Sequence, residues 1–391
     1  MYLELTAEQA ALQKELRLYF ETLMTPAVRE CIEREGLDGE QAGSIRRRLG
    51  TDGWLGVGWP TEYGGRGQSP VEQLIFREEA ERLGAPLPLL ALDTIGPTLM
   101  KFGSEQQRAE ILPRIVDGTM SFAVGYTEPE AGSDLASLRT RAVRDGDEYV
   151  INGSKLFTSY ARVADYIWLA ARTAPPETRH KGISIFLVPT SAPGLTITPL
   201  DTIVLDPTTV TFYDDVRVPV ENLVHGENEG WRLIASQLVN ERAAIGGFAI
   251  YYLKLLEDLT DWAKGNHLGG RRVIDAPWVQ LSLARCHAQL QTVRLQNFRL
   301  ASLAQHGALN MAEASVVKVL ASEIYERVIE SMLEIMGPQG YQCAGSAGAQ
   351  LHGRLEAAYR GSTFYTFGGG TNELQREIIA WEGLKLPRAK R

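Results

Sequence analysis

Cysteine is scarce: Cys31, Cys286 and Cys343 are the only three in 391 residues. They lie far apart and outside any CxxC pair, which argues against a disulfide framework or a thiolate zinc site. The six histidines are scattered and form no HExxH or similar pair, so no metal centre is expected. Basic clusters are lacking as well. Lys plus Arg total 40 against 48 Asp plus Glu, a formal net charge of -8, and nucleic acid is not an expected partner. No apolar run approaches the length of a membrane span, so no membrane association is expected. The opening Met1-Tyr2-Leu3-Glu4-Leu5 lacks the basic region and apolar core of a signal peptide, and the chain reads as cytoplasmic. Internal repeats and low-complexity tracts are absent.

What remains is a globular chain with 44% hydrophobic residues, enough to bury a large core divided into two or three domains. Thr6 with Gln9 predicts a capping box, and Leu12, Leu16, Tyr19 and Phe20 follow helical spacing. Ser69-Pro70-Val71-Glu72 predicts a second helix start with Pro at its first position. Residues 1–120 therefore read as a helical domain. From 121 to 225 the pattern changes to short β-branched and aromatic runs, such as Tyr166-Ile167-Trp168-Leu169 and Ile183 to Val188, separated by turn residues, which predicts a β domain. Helical periodicity returns over 226–391, interrupted near Gly269-Gly270, Gly337 to Gly340 and Gly368-Gly369-Gly370. The fold class is α+β, mainly α, in the order helices, sheet, helices.

One carboxylate stands on an apolar face. From Ile234, the positions Leu238, Glu241, Ile245, Phe248, Tyr252, Leu255 and Leu259 advance in steps of four and three, one stripe of a helix on which Glu241 alone is charged. Its neighbours at three and four residues include no cation, and Arg242 points about 100° away by the helical period. Burial raises the pKa of such a carboxyl, which suits a base that abstracts a proton beside a carbonyl. An ion pair with a basic residue from another helix is the equally weighted structural alternative.

Two stretches suit a ligand. Thr127 to Asp134 opens the β domain with small, hydroxylated residues able to hydrogen-bond a heterocycle or phosphate. Gly368-Gly369-Gly370-Thr371-Asn372 runs into a helix, where free backbone N–H groups favour a pyrophosphate. Neither is specific alone, since a tight turn before a capped helix produces the same pattern. The second lacks a Walker lysine and a preceding strand, which makes a P-loop or Rossmann reading a poor one.

Five ordered motifs resemble the acyl-CoA dehydrogenase family along nearly the whole chain: Trp59-Pro60-Thr61-Glu62-Tyr63-Gly64-Gly65, Tyr126 to Asp134, Asn152 to Ser159, Val216-Arg217-Val218-Pro219, and Gly369 to Arg376. The resemblance implies an N-terminal helical domain, a middle β domain, a C-terminal four-helix bundle and FAD as cofactor. It implies flavin contacts at Tyr126, Thr127, Phe157, Thr158 and Ser159, with Ser133 between flavin and acyl-CoA. Thr371 and Glu373 fall where the family contacts the FAD pyrophosphate and ribose, and Arg242 where an arginine lines the CoA channel.

The resemblance departs at the base. Many members carry Glu in a Tyr-Glu-Gly-Thr turn, where Gly369 stands here; others place it on a bundle helix before an arginine, which matches Glu241-Arg242. The implied chemistry is α-proton removal by Glu241 as hydride leaves the β-carbon, giving a trans-2-enoyl-CoA, with the Gly369 N–H polarising the thioester carbonyl. Homotetrameric members also carry an Arg-x-x-Phe-Gly motif, replaced here by Arg271 to Pro277, and a turn glutamine that is here Glu334. These departures, with the run Tyr126 to Asp147 and the ending Gly383 to Arg388, are similar to the base-bearing subunit of heterotetrameric steroid-CoA side-chain dehydrogenases of actinobacteria. That likeness implies a related acyl-CoA dehydrogenase-like partner in an α2β2 assembly and a bulky steroid acyl-CoA substrate. Electron-transfer flavoprotein is the implied acceptor. A non-catalytic structural subunit and a flavin oxidase of the same fold are the competing readings.

Overall fold

The computed structural model describes residues 4–204 and 208–388. Six helices open the chain: α1 (Ala7–Leu23), α2 (Pro26–Glu35), α3 (Glu40–Thr51), α4 (Pro70–Arg82), α5 (Gly96–Phe102) and α6 (Glu105–Val116), with a π-helical turn over Leu90–Ile95. The first starts as expected, with Thr6 Oγ1 accepting from the Gln9 N–H at 3.2 Å and the Thr6 N–H donating to Gln9 Oε1 at 3.1 Å. The fourth has Ser69 as its cap, Pro70 in its first turn and Glu72 closing the box. Such boxes satisfy N–H groups that have no partner inside the helix.

Strands β1 (Phe122–Gly125), β2 (Arg141–Asp145), β3 (Glu148–Lys155), β4 (Tyr166–Arg172), β5 (Ile183–Pro189), β6 (Leu195–Leu200), β7 (Thr208–Pro219) and β8 (Leu223–Val224) follow. They form an eight-stranded sheet in the order β6-β7-β3-β2-β4-β5-β8, with β1 parallel to β4. The two β-rich runs singled out in the sequence are β4 and β5, which pair antiparallel from Tyr166 opposite Pro189 to Arg172 opposite Ile183. Both are buried along nearly their whole length, which explains why they read as continuous apolar runs without alternation.

The remainder is helical: α7 (Gly230–Ile245), α8 (Ala249–Gly265), α9 (Pro277–Gln305), α10 (Met311–Met336), α11 (Arg354–Ser362), α12 (Phe364–Phe367) and α13 (Asn372–Ile378). A small hairpin of β9 (His267–Leu268) and β10 (Arg271–Arg272) falls at Gly269-Gly270. Helices α7 to α10 form the bundle, whose core includes Ile245, Leu255, Val293 and Ile329. The sequence stripe from Ile234 to Leu259 predicted one uninterrupted helix, but a 3-10 link at Gly246–Phe248 separates α7 from α8. Close packing accounts for the glycines there. A Cβ on Gly246 would stand 2.9 Å from Asn297 Oδ1 and from Val317 Cγ1, and one on Gly247 only 2.5 Å from Cζ of Arg77. Helices from three sides approach the backbone at the point where the rod changes pitch. No helix among the described residues is long and apolar enough to cross a membrane.

Candidate active site

Helix α7 lies against α10, β5 and the π-helical turn, so it is enclosed on several sides, with Arg242 buried and Glu241 partly buried. Glu241 has no ion-pair partner among the described residues. Its hydrogen-bond partner is Gln237, one turn earlier, whose Nε2 donates to Oε2 at 3.5 Å. Burial raises its pKa above the ordinary carboxylate value, while the more distant charges of Arg242 and Lys318 oppose that rise. The cross-helix ion pair offered as the structural alternative is therefore not formed among the described residues. A carboxylate in this setting is an available proton acceptor.

Arg242 does not simply diverge from its neighbour. It is 3% exposed, and its long side chain turns back so that Nε donates to the Gly369 carbonyl at 3.1 Å. Its Nη1 is buried with no partner, a donor left for an acceptor that the chain itself does not provide.

Gly369 closes the other side. Its φ is +69°, a left-handed conformation that costs little only for glycine. A Cβ here would lie 3.3 Å from Glu241 Oε1 and 3.9 Å from Arg242 Cγ. The two positions at which the family carries its glutamate thus converge on one point, and two carboxylates could not ionise together there. Lys318, wholly buried on α10, holds this turn in place: Nζ donates to the Thr366 carbonyl at 2.9 Å and to Asn372 Oδ1 at 2.7 Å. Thr371 caps α13, its Oγ1 accepting from the Leu374 N–H at 3.3 Å, which leaves the hydroxyl proton free to donate outward. Glu373 follows it and is exposed.

A second buried lysine shapes the loop after β1. Lys155 Nζ donates to Glu128 Oε1 at 2.7 Å and to the Tyr126 carbonyl at 3.1 Å. Burial pushes the Glu128 carboxyl up, but Lys155 and the backbone N–H groups of Arg139 and Thr140 outweigh it and hold it below its usual value. The Thr127 carbonyl accepts from Leu156 at 2.8 Å, so the loop is fastened to the end of β3. Ser133 lies exposed farther along it. After β3, Phe157 takes φ +57° and leaves its ring 54% exposed. Ser159 is half-buried, its Oγ donating to Thr208 Oγ1 at 3.0 Å. Thr158, also expected at the cofactor, points inward instead. It has no exposed surface, and its hydroxyl lies 3.2 Å from that of Thr211.

The two halves meet through side chains that sequence reading passed over. Tyr126 is buried, and its hydroxyl donates to Gln237 Oε1 and accepts from Trp168 Nε1 at 2.9 Å. The loop and the helix that carries Glu241 are thereby joined: Tyr126, Gln237, Glu241, Arg242 and Gly369 form one connected cluster. Ser133, Phe157 and Ser159 occupy the β-domain surface, and Thr371 and Glu373 the start of α13. Lys155 and Lys318 were detectable in principle. Lys155 falls on the buried side of an alternating strand with Tyr149 and Ile151, and Lys318 follows Val317 on a buried helix face. No group of metal-ligating side chains occurs among the described residues.

Family models match each third of the chain: acyl-CoA dehydrogenase N-terminal domain over 6–119, middle domain over 123–216 and C-terminal domain over 228–384. The chain belongs to the acyl-CoA dehydrogenase family. Such enzymes are flavoprotein oxidoreductases acting on a CH–CH group. Acyl-CoA dehydrogenase FadE26 of Mycobacterium tuberculosis is 45% identical over 404 residues, covering both chains completely. Among solved structures, the ChsE4-ChsE5 complex from Mycobacterium tuberculosis matches with TM-score 0.92 and 45% identity, again over the whole of both chains. A structure described as the Tcur3481-Tcur3483 steroid acyl-CoA dehydrogenase matches with TM-score 0.93 and 44% identity over the same full extent.

Proposed function

We propose that this acyl-CoA dehydrogenase removes the α-proton of a bulky acyl-CoA thioester with Glu241 and carries one wall of a FAD site completed by a related subunit. The observation that carries the reading is the Glu241 carboxylate: without an ion pair, raised in pKa by burial, and with Oε1 directed at the side-chain-free position of Gly369. Gly369 keeps its backbone N–H, which can donate to the thioester carbonyl and acidify the α-proton. Arg242, with Nη1 unspent, supplies a cationic donor for an oxygen of the bound acyl-CoA.

The residues present fit FAD. An exposed aromatic in a strained backbone conformation, Phe157, suits a planar ring, because such strain persists where function holds it. Tyr126 through its backbone, Thr127, Ser133 and Ser159 would contact the ring region, and the free Thr371 hydroxyl proton with Glu373 the pyrophosphate and ribose. When bound, the flavin accepts the hydride that leaves the β-carbon, and a trans-2-enoyl-CoA results. Glu241 takes the proton, Gly369 stabilises the developing charge, and the Tyr126 loop closes the site against α7.

A steroid acyl group is supported by one full-length structural relative, itself a steroid acyl-CoA dehydrogenase, and by the space that Gly369 leaves beside the base. Assembly with a second acyl-CoA dehydrogenase-like chain in an α2β2 heterotetramer is supported by two full-length relatives solved as two-component complexes. The lost motifs agree with it, since Arg271 and Arg272 lie on an exposed hairpin and Glu334 on an exposed face near the end of α10. An electron-transfer flavoprotein in the cytoplasm completes the proposal as electron acceptor. The test is Glu241→Gln in the flavin-loaded enzyme with steroid and straight-chain acyl-CoAs. Turnover falls at least about 10³-fold with flavin content unchanged, as expected for loss of a general base; near-normal turnover would overturn the assignment.

A further inference from the structure

We infer that Tyr126 and Gln237 are positioning residues for the base, forming with Trp168 a one-way hydrogen-bond chain that selects which oxygen of Glu241 receives the proton. The inference rests on Glu241 as the base. Trp168 and Gln237 are 0% exposed and Tyr126 8%, so water does not compete for these groups. The chain begins at an indole, which can only donate. Trp168 Nε1 donates to the Tyr126 oxygen, so the phenolic proton must be spent elsewhere, and it goes to Gln237 Oε1. With its oxygen committed, the Gln237 amide presents Nε2 to Glu241 Oε2.

Reversing that amide would set a carbonyl against a carboxylate and leave the tyrosine proton without an acceptor. The order of donors is therefore dictated from the tryptophan onward, and it terminates on an anion. One carboxylate oxygen is held by the chain. The other, Oε1, lies 3.3 Å from the position a Gly369 Cβ would take, on the side proposed for the thioester. Trp168 belongs to β4, Tyr126 to the loop after β1 and Gln237 to α7, so the β domain sets the orientation of a base carried by the helical bundle. The Tyr126 side chain thus acts on the base, in addition to any contact its backbone makes with a flavin.

Other charged or titratable groups also bear on Glu241: Arg242 from its own helix and Lys318 from α10, with Tyr126 itself on the third side. Arg242 and Lys318 remain in both variants that test the chain. An N–H bond to a carboxylate favours the ionised form. Its loss raises the pH at which the base becomes protonated.

Tyr126→Phe and Gln237→Met, each near in volume to the residue replaced, are compared with the parent in the flavin-loaded enzyme. Two readouts are used: the pH profile of kcat/KM, and the carboxyl infrared band that disappears in Glu241→Gln. The acidic limb and the infrared titration both move upward by about one pH unit, the effect of one hydrogen bond to an ion. Plateau kcat falls about tenfold with KM within about twofold, as for a misoriented base. If Glu241→Gln is inactive but both variants titrate as the parent does, the positioning role is overturned while the base assignment stands. If Glu241→Gln turns over normally, the base assignment itself fails. Should one variant not fold, the other decides on the same criteria.

Discussion

Two loops face each other across the site, and each is fastened by a buried lysine, yet the two lysines act differently. Lys155 meets a carboxylate, Glu128, and the charge is neutralised where it stands. Lys318 meets only neutral acceptors, a carbonyl and an asparagine oxygen. Burial depresses both ammonium groups to about 8, against the pull of Glu128 on Lys155 and with added repulsion from Arg242 on Lys318. The difference lies in where the field goes. The Lys155 charge is consumed in shaping the Tyr126 loop, whereas the Lys318 charge reaches Glu241 and favours its anion. The same mechanical device serves as a closed strut on one side and an electrostatic support for the Glu241 anion on the other.

The comparison can be broken most severely at its focus. Glu241→Gln removes the acceptor that the Lys318 field supports, and turnover falls at least about 10³-fold in steady-state assays. Next in size, Lys155→Met strands the Glu128 carboxylate. Chemical denaturation should show a loss of about 3–5 kcal/mol, the cost of breaking a buried pair, with a smaller displacement of the acidic activity limb than Lys318→Met produces. That second variant leaves only neutral acceptors unmet, so its stability loss is about 1–3 kcal/mol. It also deprives Glu241 of a favourable cation, and the acidic limb of kcat/KM moves to higher pH. Equal limb shifts in the two lysine variants would refute the distinction.

The smallest effect concerns stability and pH. The folded pKa of Glu241 lies above its unfolded value, so between those values the native state binds more protons and stability falls as pH rises through the window. The penalty is absent below the ordinary carboxylate range and complete above the folded pKa. Melting temperatures of Glu241→Gln and parent should therefore coincide in acid and separate near neutrality, with the inactive variant the more stable, a trade between stability and function.

Much of this was legible in the order of residues. Capping boxes at Thr6 and Ser69 follow from local N–H accounting, and the strands at Tyr166 and Ile183 from β-branched runs bounded by turns. Glu241 was conspicuous because helical period alone puts a charge among apolar neighbours. The continuous helix drawn through it was not correct, since Gly246-Gly247 yields to packing by Arg77, Asn297 and Val317 rather than to propensity. Arg242 was expected to point away, but a side chain of that length reaches around the helix to the Gly369 carbonyl. Thr158 sits between two residues of the site surface and turns inward, because the left-handed backbone at Phe157 redirects the chain and Thr158 is hydrogen-bonded to Thr209 and Thr211.

The sequence by itself determined that a helical, a β and a second helical region follow one another, that the motifs resemble those of the acyl-CoA dehydrogenase family, and that Glu241 is a lone charge on an apolar helical stripe. These are properties of periodicity and of local residue identity, both written along the chain. Only the tertiary structure decided that Glu241 has no ion-pair partner among the described residues, that Oε1 is directed at Gly369, and that Trp168, Tyr126 and Gln237 align behind Glu241. Hydrogen-bond direction and the field of a buried charge depend on distances between residues more than a hundred positions apart, and folding alone brings those residues together.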